Sequence, residues 1–200
     1  MNPHRFQEAI SRIDAVNAAD PRGQELPYSQ RLSAWVERLC PNGSEPLRLA
    51  ARAQHIARWE SPRAAYPPGR LGYLQWREEL KEFHADKAGA ILAEVGYDPE
   101  TIDRVQHLIR KRNFPRDEEG RILEDALCLV FLETQLADTV AKTGEEKMIG
   151  ILQKTWRKMT PQARQIALTL PMSAGCRALV ERFGGEVPRT LEELVTLPGL

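Results

Sequence analysis

Apolar residues recur every three or four positions along almost the whole chain, the spacing that places them on one face of an α-helix. No two alternating runs flank an Asn-Gly or Asp-Gly turn, the pattern typical of a β-hairpin. We therefore predict an all-α protein. The predicted helices cover about residues 3–19, 29–39, 46–59, 72–95, 99–113, 117–136, 145–159 and 161–168.

Helix-breaking residues interrupt this pattern in two places. The segment from Ser61 to Arg70 contains three prolines and one glycine, which predicts a loop without a helix of its own. After residue 172, glycine and proline leave room for two short helices, Arg177–Phe183 and Leu191–Leu197. We expect a single compact helical domain over residues 1–172 and a short helical tail over residues 173–200.

The charge balance excludes several classes of protein. The 200 residues carry 28 basic and 28 acidic side chains, a net charge of zero, and 42% are apolar. That balance argues against a disordered chain and against a broad surface for nucleic acid or anionic membrane. No apolar run approaches the roughly 20 residues that span a bilayer. The cysteines are widely spaced and form no CxxC pair, so we expect a soluble, cytoplasmic protein without a disulfide framework.

Two of the four histidines lie in segments that could carry chemistry. His55 precedes Arg58 and Trp59 near a predicted helix end, just before the proline-rich loop, where side chains can converge on a cleft. His84 lies in the long helix, one turn before Lys87. Each histidine is either a buried, hydrogen-bonded structural residue or a ligand or catalytic group.

A carboxylate pair precedes the most apolar part of the chain. Glu124 and Asp125 lie beside the run Leu127–Leu132, where a buried carboxylate needs a cation, hydrogen bonds or solvent. The helix dipole stabilises acids in the first turn, but Asp117 to Glu119 already occupy the predicted first turn. Asp125 is therefore either structurally paired or a metal-binding or catalytic group.

Arginine and aromatic residues alternate before His84. Between Arg52 and Arg77, five arginines face a single acid, Glu60. A guanidinium group can donate two parallel hydrogen bonds to the oxygens of a phosphate or carboxylate, and aromatic faces stack on bases. This segment therefore predicts an anion site; a solvated surface is the alternative. The predicted substrate-binding residues are Arg52, Arg58, Trp59, Arg63, Tyr66, Arg70, Tyr73, Arg77, Lys87 and Lys111.

These residues form several motifs of fixed spacing. They include Arg52-x-x-His55-x-x-Arg58-Trp59, Phe83-His84-x-x-Lys87 and the run from Leu123 to Glu133. At these motifs the chain resembles a bacterial and fungal family known as domain of unknown function 4202, over about residues 3–180. The resemblance implies membership of that family and no particular activity.

A second resemblance is to the HD phosphohydrolase superfamily, all-helical enzymes in which His and Asp ligands hold divalent metals around a phosphate ester. It implies an HD-like helical core with His55, His84 and Asp125 as metal ligands, His84 and Asp125 in catalysis, and Mn²⁺, Fe²⁺ or Mg²⁺ as cofactor. The chain departs from that superfamily because it contains no His-Asp doublet.

The tail gives a third resemblance. Residues 178–199 are similar to the approach to the helix-hairpin-helix of endonuclease III-type DNA glycosylases. The sequence lacks their second hairpin helix and catalytic lysine region, so we expect no glycosylase activity.

Two functional hypotheses follow. The first is a metal-dependent phosphohydrolase-like site for a small phosphate-bearing molecule or nucleotide. The second is a non-enzymatic binding or regulatory module that takes an anionic ligand or a protein partner at the same residues. A third and less favoured alternative is a nucleic-acid module, which rests on the arginine and aromatic segment and on the tail. The sequence predicts no membrane partner and leaves the oligomeric state open.

Overall fold

The computed structural model describes residues 3–184, and every regular element in that range is helical, which confirms the all-α prediction. The α-helices of this range are α1 (Pro3–Ala18), α2 (Glu25–Leu39), α3 (Glu45–Ala53), α4 (Gly69–Glu94), α5 (Pro99–Arg110), α6 (Glu118–Thr134), α7 (Leu136–Lys142), α8 (Glu145–Lys158), α9 (Pro161–Thr169) and α10 (Ala174–Gly184). Two 3-10 turns, Arg58–Glu60 and Arg63–Ala65, lie between α3 and α4. Within the described range, no helix is both long and apolar enough to cross a membrane.

The chain divides into two compact units, Met1–Leu127 and Cys128–Leu200. In the first unit α3 contacts α1, α2, α4 and α5, so it is the central helix of that unit. In the second unit α10 contacts α7, α8 and α9. The predicted tail helix Arg177–Phe183 corresponds to α10, whereas the predicted helix Leu191–Leu197 lies outside the described residues. The predicted boundary between residues 172 and 173 stays a prediction.

The sequence of α3 explains its central position. Ser44 caps the helix, because its hydroxyl oxygen accepts a hydrogen bond from the N–H of Leu47 at 3.2 Å. The side chains of Ala50, Ala51 and Ala53 are fully buried. Their small size lets neighbouring helices approach α3 closely.

One helix boundary was placed too late. α2 begins at Glu25 rather than at residue 29. Pro27 falls in its first turn, where the missing N–H of proline costs no helical hydrogen bond. The additional turn adds Glu25 and Tyr28 to the helix.

Another helix ends earlier than predicted. α3 stops at Ala53 instead of continuing to residue 59. Buried Ala57 has a φ of 53°, a left-handed conformation through which an α-helix does not continue. Residues 54–57 form an irregular turn, and His55 lies in that turn rather than at a helix end.

The long helix α4 presents one buried face. Buried side chains recur along it at four-residue spacing, namely Trp76, Leu80, His84, Ala88 and Leu92. On the side of α5, Gln106 donates a hydrogen bond from Nε2 to the carbonyl of Ala85 at 3.1 Å. Gly89 allows this approach, because an added Cβ would lie 2.2 Å from Gln106 Nε2. The packing thereby fixes the part of α4 that carries His84.

The proline-rich loop lies directly against the first turn of α4. Arg63 donates hydrogen bonds to the carbonyls of Tyr66 and Pro67 at 3.0 and 2.8 Å. A Cβ built on Gly72 would lie 2.0 Å from the carbonyl oxygen of Pro67. Glycine at position 72 is therefore required for the loop to close on the helix.

We expect Gly72→Ala to lower the free energy of unfolding by about 1–3 kcal/mol, because the clash is with backbone that cannot rotate away. Gly150→Ala is the matched control. No atom lies within 4 Å of the Cβ position at Gly150, so this helix-interior change should raise stability by about 0.5–1 kcal/mol. Urea unfolding followed by far-ultraviolet circular dichroism measures both. Equal stability of wild type and Gly72→Ala would contradict the close approach.

Candidate functional site

The turn after α3 places a backbone carbonyl against a histidine of α4. The imidazole of His84 is 2% exposed, and its Nδ1 lies 2.7 Å from the carbonyl oxygen of Ile56. Burial lowers the pKa of His84 to about 4, and the charge of Arg58 also lowers it, while the Ile56 contact acts in the opposite direction. His84 is therefore neutral at pH 7. Its second nitrogen, Nε2, is buried and has no hydrogen-bond partner among the described residues.

His55 lies beside His84 in the same turn. Its ring stacks on Tyr28 of α2 with a centroid distance of 4.5 Å and an interplanar angle of 9°. The centroids of the two imidazoles are 5.8 Å apart. Burial lowers the pKa of His55 well below its ordinary value, and the charges of Arg58, Lys111 and Arg77 lower it further. The structure thus joins two neutral imidazoles in a region of positive potential.

Two half-buried arginines accompany the imidazole pair. The guanidinium carbon of Arg58 lies 5.0 Å from the centroid of the Trp76 ring, and the indole N–H of Trp76 donates to the carbonyl of Ser61 at 2.9 Å. Arg77 follows Trp76 on α4. Among the described residues, neither guanidinium makes an ion pair or a side-chain hydrogen bond. We refer to His55, Arg58, Arg77 and His84 as the His-Arg cluster.

The carboxylate that acts on this cluster electrostatically comes from α2. Buried Glu25 favours the charged form of Arg58, whereas burial lowers the pKa of Arg58. Burial in turn raises the pKa of Glu25 to about 6, against the effect of Arg58. Glu25 therefore balances part of the positive charge at neutral pH and less of it in mild acid.

Several predicted binding residues make contacts within the chain. Arg52 faces Asp14 of α1 at 3.4 Å, and Lys87 forms an ion pair with Glu60 at 2.6 Å. The Arg63 guanidinium binds loop carbonyls, as described above. The hydroxyl of Tyr66 donates to Glu79 at 2.8 Å.

The other predicted residues lie nearer the cluster or at the surface. Tyr73 is half-exposed and its ring centroid is 5.9 Å from that of Trp76. Trp59 is half-buried in the first 3-10 turn, and Arg70 is exposed at the start of α4. Lys111, which ends α5 at a φ of 58°, pairs with the buried carboxylate of Glu124.

The described residues give the predicted metal centre no geometric support. Asp125 is buried on α6 with 4% of its surface exposed. However, residues 3–184 contain no group of three or more His, Cys, Asp and Glu side chains that could hold a metal ion. His55 and His84 approach each other, but the set of His55, His84 and Asp125 is not assembled as a ligand set. The cations around His55 also disfavour a metal ion electrostatically.

Sequence reasoning missed two members of this region, Glu25 and Tyr28. Both lie in the first turn of α2, which the prediction left outside the helix. Their separation of three residues places both on one helix face. Recognition of Pro27 as a first-turn residue would have extended α2 to include both residues.

A family model described as domain of unknown function (DUF4202) matches residues 7–180. The chain belongs to the DUF4202 family. The matched part of this DUF4202 chain includes the whole His-Arg cluster, Tyr28, Glu124 and Asp125. No solved structure matches the chain. The HD phosphohydrolase and endonuclease III resemblances stay predictions, and the description of DUF4202 names no reaction.

Proposed function

We propose that this DUF4202 chain binds a small phosphate-bearing ligand, such as a nucleotide, at the His-Arg cluster. The observation that carries the proposal is the pair of half-buried guanidinium groups, Arg58 and Arg77, that lack an anionic contact within the described residues. A buried charge is costly unless an opposite charge or hydrogen bonds compensate it. An oxyanion supplies both.

The surroundings of Arg58 support this proposal. Contact with the Trp76 ring restricts the guanidinium, and the indole is itself anchored to Ser61. A guanidinium group held in this way loses less conformational freedom when its N–H groups bind two phosphate oxygens. Because the two histidines are neutral, they add hydrogen-bonding atoms without adding charge.

Exposed aromatic surface lies on α4, the helix that contains Trp76 and Arg77. Tyr73 is 44% exposed, and its ring packs against that of Trp76, which also contacts the guanidinium group of Arg58. An aromatic face in that position can stack on a planar group of the ligand. A nucleotide would combine this planar group with the phosphate.

Metal-dependent hydrolysis, the first hypothesis from the sequence, stays a prediction. The described residues do not assemble the ligands that a metal ion needs. Two measurements decide it: metal content of protein purified without chelator, and phosphate release from a nucleotide panel after addition of Mn²⁺, Fe²⁺ or Mg²⁺. Bound metal together with phosphate release would show that the protein is a metal-dependent hydrolase and would exclude the non-enzymatic hypothesis.

Binding to inorganic phosphate, AMP and ATP should depend on both cluster arginines. We expect wild-type protein to bind at least one of these probes in isothermal titration calorimetry. Arg58→Gln and Arg77→Gln should each weaken that binding tenfold or more, since a hydrogen bond to a charged group contributes roughly 1.5–3 kcal/mol.

Arg38→Gln is the matched control. Arg38 also lies over an indole, with its guanidinium carbon 4.2 Å from the Trp35 ring centroid, but it belongs to the exposed C-terminal end of α2. Its substitution should leave the dissociation constant within about twofold of wild type. Failure of all three probes to bind, or an equal loss in Arg38→Gln, would overturn the proposed site.

A further inference from the structure

The hydrogen bond to Ile56 determines which nitrogen of His84 carries the proton. A carbonyl oxygen only accepts hydrogen bonds, so Nδ1 of His84 must be the donor. A neutral imidazole has one N–H group, and the other nitrogen keeps a lone pair. Nε2 of His84 is therefore a buried acceptor, and it lacks a donor within the described residues.

A buried acceptor of this kind calls for a partner. A metal ion would need further ligands, which the described residues do not assemble, and it would face Arg58, Arg77 and Lys111. The same cations attract an anion. The partner that satisfies both requirements is an anion that also donates a hydrogen bond.

We propose that His84 selects an oxyanion that still carries a proton, so that the His-Arg cluster binds inorganic phosphate, or the monoanion of a phosphate monoester, in preference to sulfate or a sulfate ester. This inference rests on the proposed function and adds the ligand class. Inorganic phosphate retains at least one P–O–H group at pH 7, and that group donates to Nε2. Sulfate is fully deprotonated and would place an acceptor oxygen against the lone pair, a mismatch that sites with a fixed hydrogen-bond polarity reject.

Because Nε2 of His84 is buried, a ligand can reach it only after a neighbouring side chain moves. His55 is half-buried, whereas His84 is 2% exposed, so His55 is the member of the pair nearer to solvent. Stacking on Tyr28 holds the His55 ring, and its imidazole makes no hydrogen bond to the part of the chain that the structure describes. The proposal therefore requires His55 to leave its stack on Tyr28, so that the lone pair of His84 meets the anion bound by Arg58 and Arg77.

Calorimetric titration of wild-type protein with inorganic phosphate and with sulfate, at pH 7 and equal ionic strength, tests the inference. We expect phosphate to bind at least about tenfold more tightly than sulfate. Equal affinities would overturn the role of His84 and leave the anion site intact. If neither anion nor a nucleotide binds, the proposed function fails as well.

His84→Asn is the informative variant. The amide nitrogen of asparagine takes the place of Nδ1 and keeps a donor toward Ile56, but the side chain has no atom at the Nε2 position. We expect this variant to bind phosphate and sulfate with affinities within about threefold of each other. Retention of the full phosphate preference would overturn the inference.

Nitrogen-15 spectra of the imidazoles give a readout that does not depend on a variant. The free protein should show His84 with a protonated Nδ1 and an unprotonated Nε2. Phosphate should shift the Nε2 resonance, as a new hydrogen bond does, and sulfate should not. An Nε2 resonance that phosphate leaves unchanged would show that a buried water, rather than the ligand, satisfies this atom, and the proposal would be wrong.

Discussion

Replacement of Lys111 by methionine is expected to lower the free energy of unfolding by about 3 kcal/mol, because it leaves a buried carboxylate without its cation. Lys111 faces the carboxylate of Glu124, whose side chain is only 5% exposed. The substitution removes the ammonium group from a carboxylate that water reaches poorly. Methionine keeps the length of the lysine stem, so packing changes little.

A second ion pair provides the comparison. Lys87 and Glu60 are 34% and 42% exposed, and their charged atoms are 2.6 Å apart. Lys87→Met should cost no more than about 1 kcal/mol, because solvent screens an exposed pair. Chemical denaturation at pH 7 measures both variants.

A double variant separates charge from packing. Glu124→Leu combined with Lys111→Met removes both charges, and well-packed apolar replacements of a buried pair are often neutral. We expect it to recover more than half of the loss caused by Lys111→Met. If Lys111→Met and Lys87→Met cost the same, the burial of Glu124 has no energetic weight and the prediction is wrong.

Stability should fall as the pH is lowered from 6.5 to about 4, and the loss due to His84 should reach about 3 kcal/mol. The ordinary pKa of histidine is 6.5, whereas burial lowers the pKa of His84 to about 4. Between these values the unfolded chain binds a proton that the folded chain excludes. The contribution of His84 is therefore complete above pH 6.5 and is lost as the pH falls through that window.

Glu25 acts in the opposite direction. Burial raises its pKa from 4.5 to about 6, so the folded chain binds the additional proton in that interval. Its contribution to stability is complete below pH 4.5 and is lost as the pH rises through 6. Glu25→Gln removes this compensating contribution, so the free energy of unfolding should fall more steeply as the pH is lowered. His55 adds to the loss, because burial lowers its pKa in the same direction as that of His84.

Urea midpoints between pH 4 and 7.5 measure these slopes. His84→Asn should flatten the curve relative to wild type. His4→Gln is the matched control: the side chain of His4 is exposed in the first turn of α1, so its curve should follow wild type. An acid slope that His84→Asn leaves unchanged would contradict the assignment of His84 as a buried neutral histidine.

Local patterns allowed most helices to be predicted. The start of α5 is an example, because Asp98 accepts a hydrogen bond from the N–H of Thr101 at 2.8 Å and Pro99 occupies the first helical position. These signals lie within four residues of each other and need no tertiary contact. The end of α3 gave no such signal, since alanine at position 57 has no preference for a left-handed conformation.

The candidate site was predicted in part. His55, His84, Arg58 and Arg77 converge, and they belong to the segments that sequence reasoning selected. The contact between His55 and Tyr28 joins the turn after α3 to α2, so no spacing in the chain predicts it. Likewise, composition alone could not separate Arg58 from Arg63, which binds loop carbonyls. Asp125 stays a prediction, as does the metal.

The early end of α3 has a consequence for proton chemistry. In a continued α-helix, the carbonyl of Ile56 would accept the N–H of Glu60, four residues later. Here the N–H of Glu60 donates to Ala57 instead, at 3.0 Å, and the Ile56 oxygen turns to His84. One backbone register change thus fixes an imidazole tautomer. The backbone conformation of this turn therefore determines, in the free protein, which nitrogen of His84 can accept a hydrogen bond.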